Sequence, residues 1–147
     1  LDPADCGPAC IALSQDIQGQ TFDYPEEFFR ERVHAIRRPR PDEFQIKEAA
    51  EKIKSSKNPI IISGGGVFYS DAMEELSQFA IKHNIPVTQT VMGYSTMKRD
   101  HSHYAGQIGG LGGKNTNSLA KQTDLAIAVG TKLGLSHHYL RNIPGFG

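Results

Sequence analysis

The 147-residue chain has no excess of charge of either sign: sixteen Lys and Arg balance sixteen Asp and Glu. A nucleic-acid binder carries a basic face, so nothing in the composition recommends a polyanionic partner. Arg37, Arg38 and Arg40 do cluster, but Pro39 and Pro41 interrupt them, and the segment reads as a solvated linker. No apolar run approaches the roughly 20 residues that a spanning helix needs, and no signal-peptide pattern opens the chain. There are only two cysteines, Cys6 and Cys10. Their C-x3-C spacing lacks a second ligand pair for zinc, and two thiols do not make a disulfide framework. A reducing cytoplasm is the expected compartment. Repeats and low-complexity tracts are missing as well. The chain starts at Leu1 and ends in "NIPGFG", which reads as a piece of a longer polypeptide.

What is present is an alternation of strands and helices. "ACIAL" (9–13) reads as a short buried strand, followed by a polar, extended stretch and a proline-broken connector, "EEFFRERVHAIRRPRP" (26–41). From Asp42 a helical period begins. Asp42 is a candidate cap with Gln45 as its capping-box partner, and Ile46, Ala49, Ala50 and Ile53 form one face. "PIIIS" (59–63) follows as an unalternating apolar strand, the mark of a strand covered on both faces. Ser70 or Asp71 is expected to cap the next helix, whose stripe is Met73, Leu76, Phe79 and Ala80, and which ends near His83-Asn84. "IPVTQT" (85–90) is the second strand, residues 92–113 a glycine-rich loop, "KNTNSLAKQT" a short helix and "DLAIAVG" (124–130) the third strand. Connections this short imply a parallel sheet. The fold class is α/β, Rossmann-like, with helices on both faces.

The stretch "IIISGGGVFYSDA" (60–72) therefore runs strand, glycines, helix, the order that phosphate-binding folds use. Gly64, Gly65 and Gly66 remove side chains where a ligand could approach. The dinucleotide fingerprint nevertheless fails. Its third glycine position is Tyr69, and the second strand ends in Thr88-Gln89-Thr90 with no carboxylate for a ribose. A nucleotide cradle and a purely structural turn both remain open. Other constellations are thin. His101 and His103 are two apart without a third metal ligand, His137-His138 would point to opposite faces of a strand, and Ser63 and Ser70 lack a nucleophile elbow. No catalytic set and no metal site is expected.

"TVMGYS" and "DHSHYAGQIGGLGGKNTNSLAKQTDLAIAVGTKL" resemble the first half of the central domain of thiamine-diphosphate-dependent enzymes. The matching positions are Met92-Gly93, Asp100-His101, Gly106, Gly109, Gly112, Asn117, Asp124 and Gly130; prolines usual near Ser14 and Ser102 are absent. "ADCGPACIALSQDIQGQTFDYPEEFF" is similar to the stretch leaving the preceding, pyrimidine-binding domain. The resemblance implies residues 1–25 as the end of that domain, 26–41 as linker, 42–133 as the first half of the central domain, and 134–147 as an unassigned tail. It implies thiamine diphosphate and Mg2+ in the parent protein, held by its pyrimidine- and diphosphate-binding domains, with no catalytic group in this chain. It also implies a homo-oligomer. Within the family, "GGGVFYSDA" is most similar to a ring-opening carbon–carbon hydrolase of myo-inositol catabolism. An acetolactate-synthase-like carboligase with FAD, and a non-catalytic nucleotide-binding or assembly module, are the alternatives. In each case Gly64, Gly65, Gly66, Met92, Gly93, Gly109, Gly112 and Gly130 are the candidate lining of a nucleotide cleft, vestigial in the first reading. The isolated chain is expected to be inactive and to self-associate along an uncovered sheet edge.

Overall fold

A computed structural model describes residues 7–35 and 38–133. By contact the chain separates into residues 1–43 and 44–147.

The first unit carries little regular structure: helix α1 (Gln15–Gln18) and a 3-10 turn at Glu26–Phe29. "ACIAL" is not a strand. Ile11 and Leu13 are 81% and 61% exposed, and among the described residues of this unit no strand offers the pentapeptide a ladder partner. Phe22, Tyr24, Phe28 and Phe29 instead pack on one another with ring centroids 4.9 to 6.1 Å apart, edge-to-face except for the tilted Tyr24–Phe28 pair.

The second unit is built on a four-stranded, all-parallel sheet. Its elements are α2 (Glu43–Ser55), β1 (Pro59–Ser63), α3 (Gly65–Tyr69), α4 (Met73–His83), β2 (Val87–Gln89), β3 (Tyr104–Gln107), α5 (Lys114–Lys121) and β4 (Leu125–Val129). The spatial order is β3-β2-β1-β4, with Ile61 opposite Val87 on one side and Ile127 on the other. The expected α/β, Rossmann-like class with helices on both faces is what the chain adopts. β1 shows why. Ile61 packs with Val67, Leu76 and Ala80 under α3 and α4, while Ile60 and Ile62 meet Ile108 and Ala120 under α5. All three isoleucines are at most 1% exposed, so β1 is wet on neither face, as its unbroken apolar run requires.

Three expectations need correction. The helix after the glycines does not wait for Ser70 or Asp71: α3 starts at Gly65, Ser70 terminates it, and α4 starts after Ala72 without a side-chain cap. Asp71 lies at φ +53°, a left-handed kink between the two helices. The glycine-rich stretch 92–113 contains a strand, β3, and a 3-10 turn at Val91–Gly93. Phe79 does not belong to the buried stripe; it is exposed and stacks on His83 at 4.5 Å. The end of α4 agrees with expectation, since Asn84 closes it in the left-handed conformation.

Asp124 ties the sheet together at the opposite end from the glycines. Its carboxylate accepts from the Ser56 hydroxyl and from the backbone N–H groups of Lys57 (2.8 Å) and Asn58 (2.9 Å). The turn entering β1 is thereby latched to the start of β4, 66 to 68 residues on. The Ser56 hydroxyl, then the Lys57 N–H, hold the Asp124 carboxyl down at about 2. Because the folded pKa lies below the ordinary value of 3.8, the latch is present above that value and is lost as pH falls through about 2. Asp124→Asn, which turns an N–H toward these donors, is expected to lower the melting temperature by several degrees near neutrality and to flatten the acid limb. Thermal melts of both chains between about pH 7 and about pH 2 check this.

Candidate functional site

Parallel strands put all their carboxyl ends on one rim, and the glycine loops gather there. The order β3-β2-β1-β4 makes the gap between β1 and β4 the point where chain direction across the sheet reverses, the usual ligand crevice of open α/β sheets. Here backbone fills it. Gly64 N–H donates to Val129 O (2.9 Å) and Gly66 N–H to Gly130 O (2.8 Å). A Cβ on Gly64 would sit 2.4 Å from Gly130 O, and one on Gly66 would sit 2.7 Å from the Gly130 Cα. Gly130 itself lies at φ +60°. These glycines are needed for close backbone approach.

The loop after β2 is seated by hydroxyls. Gly93 N–H donates to Thr90 Oγ1 (3.0 Å), and Thr96 Oγ1 donates to Gly93 O (2.8 Å). Ser63 Oγ lies 2.7 Å from Thr96 Oγ1 and 3.1 Å from Thr88 O. Gln89 Nε2 donates to Met97 O at 2.8 Å. All these side chains are buried and satisfied, so they hold shape rather than offer a reactive group. The loop after β3 is clasped by Asn117, whose amide accepts from Gly109 N–H and donates to Gly109 O, both at 3.1 Å. Gly112 N–H donates to Gly109 O at 2.9 Å.

The candidate lining residues thus divide. Gly64, Gly65, Gly66, Met92, Gly93 and Gly130 come together, with a Cβ on Gly65 falling 2.9 Å from Met92 O. Gly109 and Gly112 belong to the β3 loop, tied to its own strand end and to α5. The rim exposes a set of large apolar and aromatic side chains: Phe68, Tyr69, Met92, Tyr94 and Leu111 are each more than half exposed. Arg99 covers the Tyr94 ring at 5.5 Å and donates to its hydroxyl. His101 and His103 precede β3 and so lie at the amino-end rim, away from the glycines. Ser63 is buried, Cys10 is exposed and unpaired, and His137-His138 and Cys6 fall outside the described residues. The hydroxyl seating and the Asn117 clasp were not legible as single motifs, because each joins residues that only the folded sheet brings together.

Among the described residues no three His, Cys, Asp or Glu side chains come together as metal ligands. No helix among the described residues is long and apolar enough to cross a membrane.

Comparison with known proteins agrees with this geometry. The family described as thiamine pyrophosphate enzyme, central domain, matches residues 46–145. A 3D-(3,5/4)-trihydroxycyclohexane-1,2-dione hydrolase from Clostridium perfringens is 49% identical over 131 residues, covering 89% of this chain and 20% of the relative. The proteins of the same name from Bacillus subtilis and Shouchella clausii are 45% and 42% identical over the same length, each covered to 21%. The chain thus spans about a fifth of the length of the curated relatives it matches. A match over two-thirds of the chain, on a parallel sheet with its glycine loops on one rim, leads to one conclusion: the chain belongs to the thiamine pyrophosphate enzyme central-domain family.

Proposed function

We propose that this chain is the central-domain portion of a thiamine-diphosphate-dependent hydrolase that opens the ring of a trihydroxycyclohexanedione in inositol catabolism. The observation that carries the reading is the 49% identity sustained over 131 residues to a hydrolase of that name. Residues 1–25 then end a pyrimidine-binding domain, 26–41 link, and 42–133 begin the central domain. Thiamine diphosphate and Mg2+ belong to the pyrimidine- and diphosphate-binding domains, and the cofactor supplies an electron sink for carbon–carbon cleavage. This chain contributes a rigid rim and no reacting group. The parent is a cytoplasmic homo-oligomer. The test is turnover of the cyclic dione by the full-length protein, with and without thiamine diphosphate and Mg2+, beside the 147-residue chain. Turnover by the full-length protein alone, dependent on both, is expected. Pyruvate consumption by a flavin-coloured protein would overturn the reading in favour of a carboligase.

A second reading concerns the rim. Because parallel strands carry the loops after β1, β2 and β4 to one end of the sheet, a nucleotide would lie on top of the packed Gly64–Gly66, Met92-Gly93 and Gly130 backbone rather than in a gap between β1 and β4, with Gly109 and Gly112 at its flank. Titration calorimetry with ADP, FAD and NAD tests it; heat with one of them supports an inherited cleft, and none with any leaves the glycines a structural turn.

A further inference from the structure

A cleft of about 230 Å³ opens at the amino-end rim, where β1 and β2 begin and α4 and α5 end. That is below the roughly 300–1,000 Å³ of sites for drug-sized ligands, so its occupant is metabolite-sized. Pro59, Pro86 and Leu119 give it apolar walls, and Lys57, Asn58, Asn84 and Gln122 its polar edge. The backbone beneath Lys57 and Asn58 is fixed. Besides the two N–H groups that Asp124 engages, the Asn58 carbonyl accepts from the Thr123 hydroxyl (3.0 Å) and from Asp124 N–H (3.2 Å). The polar side chains are not used up by this. Lys57 forms no ion pair among the described residues, nor do Lys82 and Lys121 in the last turns of α4 and α5. Gln122 donates only to Ser118 O, at a long 3.4 Å, and the Asn84 carboxamide meets His103 Nε2 through its oxygen alone (3.1 Å).

We propose that this cleft binds a small polyhydroxylated carboxylate, a sugar acid, at the end of the sheet opposite the glycine loops. The Lys57 ammonium meets the carboxylate, and no acidic side chain lines the cleft to compete with it. The nearby Asp124 carboxylate is already occupied by three donors. Carboxamides both donate and accept, so Asn58, Asn84 and Gln122 pair the hydroxyls of a polyol chain in either sense. The proline rings and Leu119 cover its C–H faces. The helix ends set how much charge the cleft takes. α4 and α5 both bring their carboxyl poles to this rim, which opposes a negative ligand, and Lys82 and Lys121 offset part of that field. One negative charge matches the single lining ammonium; a second has no partner there.

The test is a titration of the 147-residue chain with sodium gluconate at constant ionic strength, followed by amide NMR. The amides of Lys57, Asn58, Gln122 and Thr123 are expected to shift saturably with a midpoint of about 1 mM, while those of Gly64, Gly66 and Gly93 stay in place. Lys57→Met keeps the apolar stem and removes the charge; its midpoint is expected to rise about tenfold, the scale of one charged hydrogen bond. Gln122→Leu is expected to raise it severalfold. Both side chains are exposed, so neither change threatens the fold. Glucitol, which lacks the charge, and acetate and inorganic phosphate, which lack the polyol chain, are each expected to bind at least tenfold more weakly than gluconate. No saturable shift with gluconate, shifts centred on the glycine loops, or an unaltered midpoint in either variant overturns the proposal. So does acetate, phosphate or glucitol binding as tightly as gluconate.

Discussion

Gly93→Ala is expected to lower the urea unfolding midpoint of this chain steeply. A Cβ at position 93 would stand 2.2 Å from Ser63 O and 2.9 Å from the Gly64 Cα, both backbone atoms of the central strand and its exit. Overpacking against side chains costs about 1–3 kcal/mol because rotamers shift. Here no rotamer can move. Either the 90–97 loop lifts off, giving up the Thr90, Thr96 and Ser63 contacts, or β1 shifts between its two neighbours. The cost is expected at or above the top of that range, a large part of a single domain's roughly 5–15 kcal/mol. Urea titration followed by circular dichroism measures it. Gly19→Ala is the control: its backbone has an ordinary negative φ of −86°, and the nearest atom to a new Cβ is 3.8 Å away. A change within about 0.5 kcal/mol is expected there. An unaltered midpoint in Gly93→Ala would show that the two loops do not meet as described.

Ile61→Ala is expected to cost about 2–5 kcal/mol, the range for truncating a fully buried aliphatic side chain. Ile61 sits at the centre of the cluster formed with Val67, Leu76, Ala80, Ile85, Val87 and Met97. Strands on both sides confine β1, so the site cannot collapse cheaply. Ile46→Ala makes the comparison sharp. Ile46 was read as part of a helical apolar stripe, yet it is 51% exposed on α2, and about 0.5 kcal/mol or less is expected from its truncation. Equal midpoints for the two variants in urea would overturn the assignment of the core to β1.

The contrast between those isoleucines shows where sequence stops being informative. The helical period marks Ile46 as belonging to an apolar face but does not say whether anything covers that face, whereas the unalternating run around Ile61 implies cover on both faces. Along α2 only Ala50 and Ile53 are even half-buried, with Ile53 against the core, although Ile46 shares their period. The same limit explains residues 9–13, apolar in composition and exposed in the structure. In the glycine loop the residues were legible and their use was not. Three glycines after a strand fit a ligand cradle and a tight backbone crossing equally well, and only the position of Gly130 and Thr131 opposite them reveals the crossing.

By itself the sequence determined those elements whose signal is local. A β-branched run bounded by Asn58-Pro59 and Gly64 places β1 at the residues it occupies, a 3.6-residue period places α2 and α4, and Asn84 stops α4. The local reading also placed β2, α5 and β4, while tertiary structure alone decided β3 and the long-range polar contacts. "YAGQ" contains a glycine and no β-branched residue, and becomes strand β3 because the open edge of β2 supplies a ladder. Ser63 meets Thr96, and Asp124 meets Ser56, only once the sheet order β3-β2-β1-β4 exists. Local propensity acts through a residue's own backbone and near neighbours; pairing, burial and polar satisfaction depend on partners that folding brings from tens of residues away.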